Sequence, residues 1–179
     1  MSQHFLFYKM QLQHSDNKFE KRSFPIVICC DQLRTPENVG MVFRVADAFQ
    51  VEKILFHSLS PKASDRAVNR ISRSTSGLVS HQHVHDLVSE MNKLKEQGYK
   101  VLALEITANS KPIQQLTIDK NDKLIIVIGA ERNGISSELL NCCENVYHIP
   151  MYGTNSSMNV VNSLSIALYE ITNKFIHFK

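Results

Sequence analysis

Small polar residues cluster in the segment 149–169, IPMYGTNSSMNVVNSLSIALY. The pattern predicts the end of a strand, a loop that contains Pro150 and Gly153, and then an apolar helix. Because the first N–H groups of a helix have no partner within the helix, such an entry can hold an anionic or polar ligand. Ser and Asn are also ordinary helix caps, so this segment alone indicates either a binding site or a helix start.

Two further segments place polar residues where predicted strands end. After residues 24–30 the chain reads DQLRTPENVGMVFRVADAF, which puts Asn38 and Arg44 six residues apart around a helix start. After residues 123–128 it reads GAERNGIS, in which Gly129 and Gly134 bracket Glu131. This glycine pattern is neither the phosphate loop nor the dinucleotide fingerprint, which argues against a nucleotidase or a dehydrogenase.

The elements that must position these residues alternate between strands and helices. This alternation predicts an α/β fold with a mainly parallel sheet and helices on both faces. The predicted strands cover residues 24–30, 53–56, 82–84, 100–104, 123–128 and 146–149. The predicted helices cover residues 38–49, 64–72, 86–97, 136–141 and 157–175. Either Ser64 or Asp65 is expected to cap the second of them. In such a sheet the loops beyond the carboxyl ends of the strands form the ligand site, and all three polar segments lie there.

The composition, 43% hydrophobic and 21% charged, is ordinary for a globular protein. No apolar run reaches the roughly 18 residues that span a bilayer, and the N-terminus does not read as a secretory signal. We therefore expect a cytoplasmic protein without membrane contact. The cysteines form two adjacent pairs, Cys29-Cys30 and Cys142-Cys143, a spacing that suits core packing better than metal or redox chemistry. We expect no metal site.

The net charge is only +3, but the basic residues are unevenly placed. One group precedes the first strand and consists of Lys18, Lys21 and Arg22. A second group is spaced by four, four and three residues and consists of Lys62, Arg66, Arg70 and Arg73. On a helix this second spacing puts all four side chains on one face. Such a face is either simply solvated or a surface that contacts phosphates.

Taken in order, the three polar segments resemble the SpoU/TrmH family of the SPOUT superfamily, RNA ribose 2′-O-methyltransferases that use S-adenosylmethionine. The family's motifs are an Asn followed six residues later by Arg, a strand followed by G-x-E-x-x-G, and I-P-M-x-G-x-x-x-S-L-N-V-S. They are matched here by NVGMVFRVADAF, IVIGAERNGI and IPMYGTNSSMNVVNS. The likeness runs from about Phe24 to the C-terminus.

The resemblance implies a deep C-terminal trefoil knot, S-adenosylmethionine as cofactor, and a homodimer whose site is completed near the subunit interface. By position, the expected cofactor-binding residues are Leu104, Glu105, Gly129, Ile149, Met151 and Met158. The expected catalytic residues are Asn38, Arg44, Glu131, Ser157 and Asn159.

The chemistry that the resemblance implies gives these residue types a purpose. A ribose 2′-hydroxyl must lose its proton as it attacks, so the site must align the reactants and stabilise charge on oxygen. In the family, the Arg that matches Arg44 is proposed as the base, assisted by an RNA phosphate. Because guanidinium stays protonated in proteins, we expect Arg44 to clamp a phosphate and stabilise that charge instead. Asn38 and Asn159 are expected to hold Arg44, the ribose or the loops. Glu131 is expected either to fix its loop through backbone N–H groups or to orient a partner.

We expect one domain, residues 1–179, in which residues 1–23 form a basic extension and no separate RNA-binding domain is present. RNA, with tRNA slightly favoured over rRNA, would then be held by the catalytic dimer through the basic groups and the segment 71–77, ISRSTSG. Gln50 stands where the family usually has Gly, which is unfavourable if that turn needs a positive φ. Two alternatives stay open, a catalytically inactive RNA-binding module with this fold and a base-methylating enzyme of the superfamily.

Overall fold

The structure is a computed structural model and describes residues 19–177. Its strands are β1 Phe24–Cys30, β2 Val51–His57, β3 His81–Val84, β4 Tyr99–Leu104, β5 Lys111–Pro112, β6 Lys123–Ile128 and β7 Asn145–His148. Its helices are α1 Pro36–Ala48, α2 Arg66–Ser72, α3 Leu87–Glu96, α4 Ser137–Asn141 and α5 Val160–Ile176. Short 3-10 turns lie at Thr75–Gly77 and Ile113–Gln115.

The seven strands form one sheet in the order β3-β2-β1-β6-β4-β7-β5, and each neighbouring pair is parallel. β6 lies between β1 and β4, although it follows β4 and β5 in the sequence. The loops after β1, β6, β4 and β7 therefore leave the same edge of the sheet side by side. The predicted mainly parallel sheet is confirmed.

Helices cover both faces of this sheet, as predicted. Consecutive residues of β1 belong to opposite faces, with Ile28 in one core cluster and Val27 in the other. Phe43 of α1 and Leu164 of α5 pack on the first face, whereas Met91 of α3 packs on the second. Because both faces are buried, β1 reads as a continuous apolar run rather than as an alternating pattern.

Two predicted helix boundaries are wrong. The last helix begins at Val160 rather than at residue 157, because the Asn159 side chain caps it. The second helix begins at Arg66 rather than at residue 64, and its N-cap is Asp65, one of the two residues predicted for that role. The two-residue strand β5 is an element that the sequence pattern did not indicate.

The predicted basic helix face is also wrong, because α2 is too short to contain all four basic residues. Lys62 lies outside α2, and Arg73 follows the last turn of α2 in a left-handed conformation with φ of 49°. Only Arg66 and Arg70 of this group belong to α2 itself. All four side chains are exposed, but they do not form a single helical stripe.

Cys29 and Cys30 are fully buried in β1, where burial raises the pKa of both thiols and keeps them neutral. Within residues 19–177, no helix is both long and apolar enough to cross a bilayer. Over the same range, no group of three or more His, Cys, Asp or Glu side chains is placed to hold a metal ion.

The turn between α1 and β2 requires a left-handed residue, and Gln50 fills it with φ of 47°. The Nε2 atom of the Gln50 side-chain amide donates to the Asp47 carbonyl at 3.0 Å. We expect Gln50→Gly to be more stable than Gln50→Ala by about 1 kcal/mol, because both lose that hydrogen bond but only Ala meets the left-handed steric cost. Urea unfolding of the two variants measures this difference, and an Ala variant that is the more stable of the two would contradict it.

Candidate functional site

A cavity of about 330 Å³ opens at the carboxyl edge of the sheet. It is formed by the loops that follow β4, β6 and β7 and by the segment that leads into α5. All six residues predicted to bind a cofactor line this cavity: Leu104, Glu105, Gly129, Ile149, Met151 and Met158. Glu131, Ser157 and Asn159 line it as well. The structure therefore brings residues of two of the three polar segments to one place.

The loop after β6 folds tightly upon itself. Ala130 and Gly134 exchange backbone hydrogen bonds of 3.1 and 2.9 Å. A Cβ atom on Gly129 would lie 2.1 Å from the Gly134 carbonyl carbon, so residue 129 has no room for a side chain. Gly134 itself has φ of 64° and lies against the Glu105 carboxylate. Both glycines are thus required by the shape of this cavity wall.

Glu105 ties the loop after β4 to the loop after β6. Its Oε2 accepts a hydrogen bond from the Ile135 N–H at 3.1 Å, and its Oε1 accepts one from the Ile106 N–H at 2.8 Å. A carboxylate that accepts from two backbone groups holds both of them in place. Glu105 therefore shapes the cavity besides lining it.

A chain of hydrogen bonds links one residue from each of the three polar segments. The Asn159 Nδ2 donates to Asn38 Oδ1 at 3.0 Å, and the Asn38 Nδ2 donates to the carboxylate of Glu131. The same carboxylate oxygen accepts from the Thr35 hydroxyl at 2.8 Å. The Glu131 carboxylate thus contacts two side chains of the first polar segment.

Asn159 has its amide orientation fixed by the helix that follows it. Its Oδ1 accepts from the Val161 and Asn162 N–H groups at 2.9 and 3.3 Å, which caps α5. Because Oδ1 accepts these two hydrogen bonds, Nδ2 is the atom that faces Asn38. Ser157 and Met158 lie in the loop before the cap, and both line the cavity.

Arg44 does not join this cluster within one chain. It lies six residues beyond Asn38 on α1, which corresponds to about 240° of rotation and about 9 Å along the helix axis. Its half-buried side chain contacts the Met41 sulfur at 3.8 Å. It shares a face of α1 with Gly40, which packs closely against Ile71 of α2. The structure thus separates Arg44 from the Asn38 and Glu131 side chains.

The basic residues predicted to contact RNA are exposed where the structure describes them, and Lys18 lies outside the described residues. Arg22 pairs with Glu20 at 2.8 Å, so part of its charge is compensated. In the segment 71–77, the Thr75 hydroxyl donates to the Ser72 carbonyl at 2.6 Å. The Ser72 hydroxyl contacts the Asn69 carbonyl and the Ser76 hydroxyl. These hydroxyls hold the turn together, and of the three residues Ser72 is fully buried whereas Thr75 and Ser76 are partly exposed.

Sequence reasoning missed two residues that the site uses. Thr35 contacts Glu131, and the buried carboxylate of Asp31 accepts from the Ser136 N–H at 2.7 Å, across the loops after β1 and β6. Both precede the predicted helix in the first polar segment. Neither forms part of a recognised motif, and the available signal was that both belong to the same polar segment as Asn38.

Comparison with known proteins identifies the family. The family model described as "SpoU rRNA Methylase family" matches residues 25–169, most of the chain. The chain belongs to this SpoU family. The family resemblance found in the sequence is thereby confirmed, and with it membership of the SpoU/TrmH RNA methyltransferases.

Individual SpoU relatives are distant in sequence. A TrmH family tRNA/rRNA methyltransferase relative from Staphylococcus haemolyticus is 29% identical over 166 residues, covering 90% of this chain and 64% of the relative. The tRNA (guanosine(18)-2'-O)-methyltransferase of Escherichia coli is 29% identical over 153 residues, covering 84% of this chain and 64% of that relative.

Solved structures support the same fold. The SpoU methyltransferase AviRb from Streptomyces viridochromogenes, in complex with the cofactor AdoMet, superposes with a TM-score of 0.76 at 20% identity. That match covers 88% of this chain and 62% of AviRb. The chain spans under two thirds of the length of the curated relatives described above.

Proposed function

We propose that the protein transfers a methyl group from S-adenosylmethionine to a ribose 2′-hydroxyl of RNA. The observation that carries this proposal is the hydrogen-bonded chain from Asn159 through Asn38 to Glu131, which joins the three family motifs beside the cavity. The activity of the Escherichia coli relative supports the ribose hydroxyl as acceptor. Its name also supports tRNA, which we favour slightly over rRNA as the substrate.

The residues of the cavity fit S-adenosylmethionine. The cofactor supplies an electrophilic methyl group on a positively charged sulfonium. The Glu131 carboxylate on the cavity wall favours a positive charge there. Gly129 and Gly134 both line the cavity, and the close packing of their backbones gives a wall without side chains at these two positions. Met151 and Met158 add apolar surface against which a ring or an alkyl chain can pack.

The side chains outside the cavity suit the acceptor. Asn38 is held by Asn159 and Glu131, so its position is fixed before a substrate binds. Arg44 has no acidic partner among the described residues, so its charge is available to an RNA phosphate and to the 2′-oxygen as negative charge develops. Because Arg44 lies away from Asn38 within one chain, we propose that a second subunit completes the site.

The homodimer is supported by an exposed apolar stripe on α5. The stripe consists of Ile166, Tyr169 and Ile176, whose side chains are exposed by 42%, 62% and 42%. Their spacings of three and seven residues put them on one side of the helix.

We also propose that the C-terminal part of the chain forms the trefoil knot of the family. The insertion of β6 between β1 and β4, with β7 on the far side of β4, supports this arrangement.

The reaction is tested with purified protein, methyl-labelled S-adenosylmethionine and either unfractionated tRNA or rRNA, followed by nucleoside analysis. We expect label in 2′-O-methylated nucleosides. RNA from cells that lack the protein should lose the same modification at a defined nucleotide. Label in a methylated base would instead support a base methyltransferase. Binding of RNA with no transfer to either substrate would support an inactive RNA-binding module.

A further inference from the structure

A second cavity, of about 600 Å³, lies beside the first. It is formed between the loop after β1 and the loop after β6. The two cavities share one wall, made of Ala130, Glu131, Arg132 and Gly134. The two cavities are therefore neighbours along this loop.

Two arginines give the second cavity its chemistry. Arg34 stands on the loop after β1, and Arg132 stands on the shared wall. Both are exposed, and neither forms an ion pair in the part of the chain that the structure describes. The Arg34 Nη2 donates to the neutral Gln32 Oε1 at 3.0 Å, which orients the guanidinium without neutralising its charge.

The two carboxylates of the second cavity are already engaged. Asp31 is only 4% exposed and accepts from the Ser136 N–H at 2.7 Å. Glu131 accepts from Thr35 and Asn38. Because these acids are held by backbone and neutral donors, they do not pair with Arg34 or Arg132. The cavity thus offers two guanidinium groups that form no ion pair with these acids, and their planar donor set matches phosphate oxygens.

We propose that this second cavity binds the RNA segment that carries the reacting ribose, with Arg34 and Arg132 on its phosphates. The inference rests on the proposed function and extends it by naming the acceptor site. Transfer requires donor and acceptor in adjacent positions, and the shared wall provides that adjacency. Arg132, which borders both cavities, places the acceptor segment next to the methyl donor.

The test compares Arg34→Gln and Arg132→Gln with Lys120→Gln. Lys120 is an exposed residue just before β6, at the opposite edge of the sheet from both cavities, and its replacement removes the same single charge. We expect each arginine variant to weaken binding of unfractionated tRNA by about tenfold, the effect of one lost charged hydrogen bond. The slope of log Kd against log salt should fall by about 0.7 for each lost phosphate contact. Affinity for S-adenosylmethionine should stay within about twofold in Arg34→Gln, because Arg34 does not line the first cavity.

Three results would overturn the inference. These are arginine variants with unchanged RNA affinity, a Lys120→Gln variant with an equal loss of RNA affinity, and an Arg34→Gln variant that loses cofactor affinity as strongly as RNA affinity. Because binding is measured directly, the result is independent of catalysis. If the wild-type protein binds tRNA through both arginines but transfers no methyl group, the proposed reaction is refuted and the proposed RNA site is still supported.

Discussion

Replacing Arg44 with Ala is expected to lower kcat for RNA methylation by about 10²–10³-fold, the usual effect of removing one donor that stabilises developing negative charge. S-adenosylmethionine affinity should be unchanged, because Arg44 does not line the cavity that holds the predicted cofactor residues. Its described side-chain contact is with the Met41 sulfur at 3.8 Å, so the variant should also fold normally. Single-turnover methylation and calorimetric titration with the cofactor measure the two quantities separately.

Arg44→Lys is the matched control for this variant. It keeps the positive charge but loses the planar pair of donors, so we expect activity between the wild type and Arg44→Ala. Turnover of Arg44→Ala at a rate near that of the wild type would show that Arg44 has no part in the reaction. Loss of cofactor affinity in Arg44→Ala would show that its role is to maintain the fold.

The strands were the most predictable part of this fold. β6 matches its prediction at both ends, because an apolar run between Lys123 and Gly129 has unambiguous limits. β5 has two residues, one of them Pro112, so it carries no alternation that a sequence pattern could detect. The start of α5 was misplaced because Ser157 and Asn159 are equally good caps by residue type, and only the contact of Asn159 with the Val161 N–H distinguishes them.

The site was predictable only where a motif covered it. Asn38 lies 93 residues from Glu131 and 121 residues from Asn159, and no local periodicity reports contacts at such separations. The family motifs supplied these residues, and the structure shows which of them touch. The turn at Gln50 was anticipated correctly, since its φ of 47° is the positive value that the missing Gly suggested. Residues outside motifs, such as Thr35, gave no comparable signal.

Gly129→Ala is expected to have the largest effect on the cofactor cavity. The added Cβ would lie 2.1–2.4 Å from the Gly134 carbonyl carbon and oxygen and the Ile135 nitrogen, distances at which something must shift. These neighbours are backbone atoms: the Gly134 carbonyl accepts from the Ala130 N–H and the Ile135 N–H donates to Glu105, so they cannot rotate away as a side chain could. Overpacking of this kind costs about 3 kcal/mol of unfolding free energy and displaces the loop that forms the cavity wall.

Gly153→Ala provides a control in the same part of the molecule, because a Cβ at residue 153 meets no atom within 4 Å. We expect its free energy of unfolding to lie within about 1 kcal/mol of the wild-type value and its affinity for S-adenosylmethionine to be unchanged. Gly129→Ala should lose both stability in urea and at least about tenfold in cofactor affinity, since the loop it displaces lines the cavity. If both variants bind and unfold like the wild type, the close approach of the loop after β6 does not govern the cavity. If Gly129→Ala is unstable but binds normally once folded, the glycine serves the fold and the cavity tolerates movement of that wall.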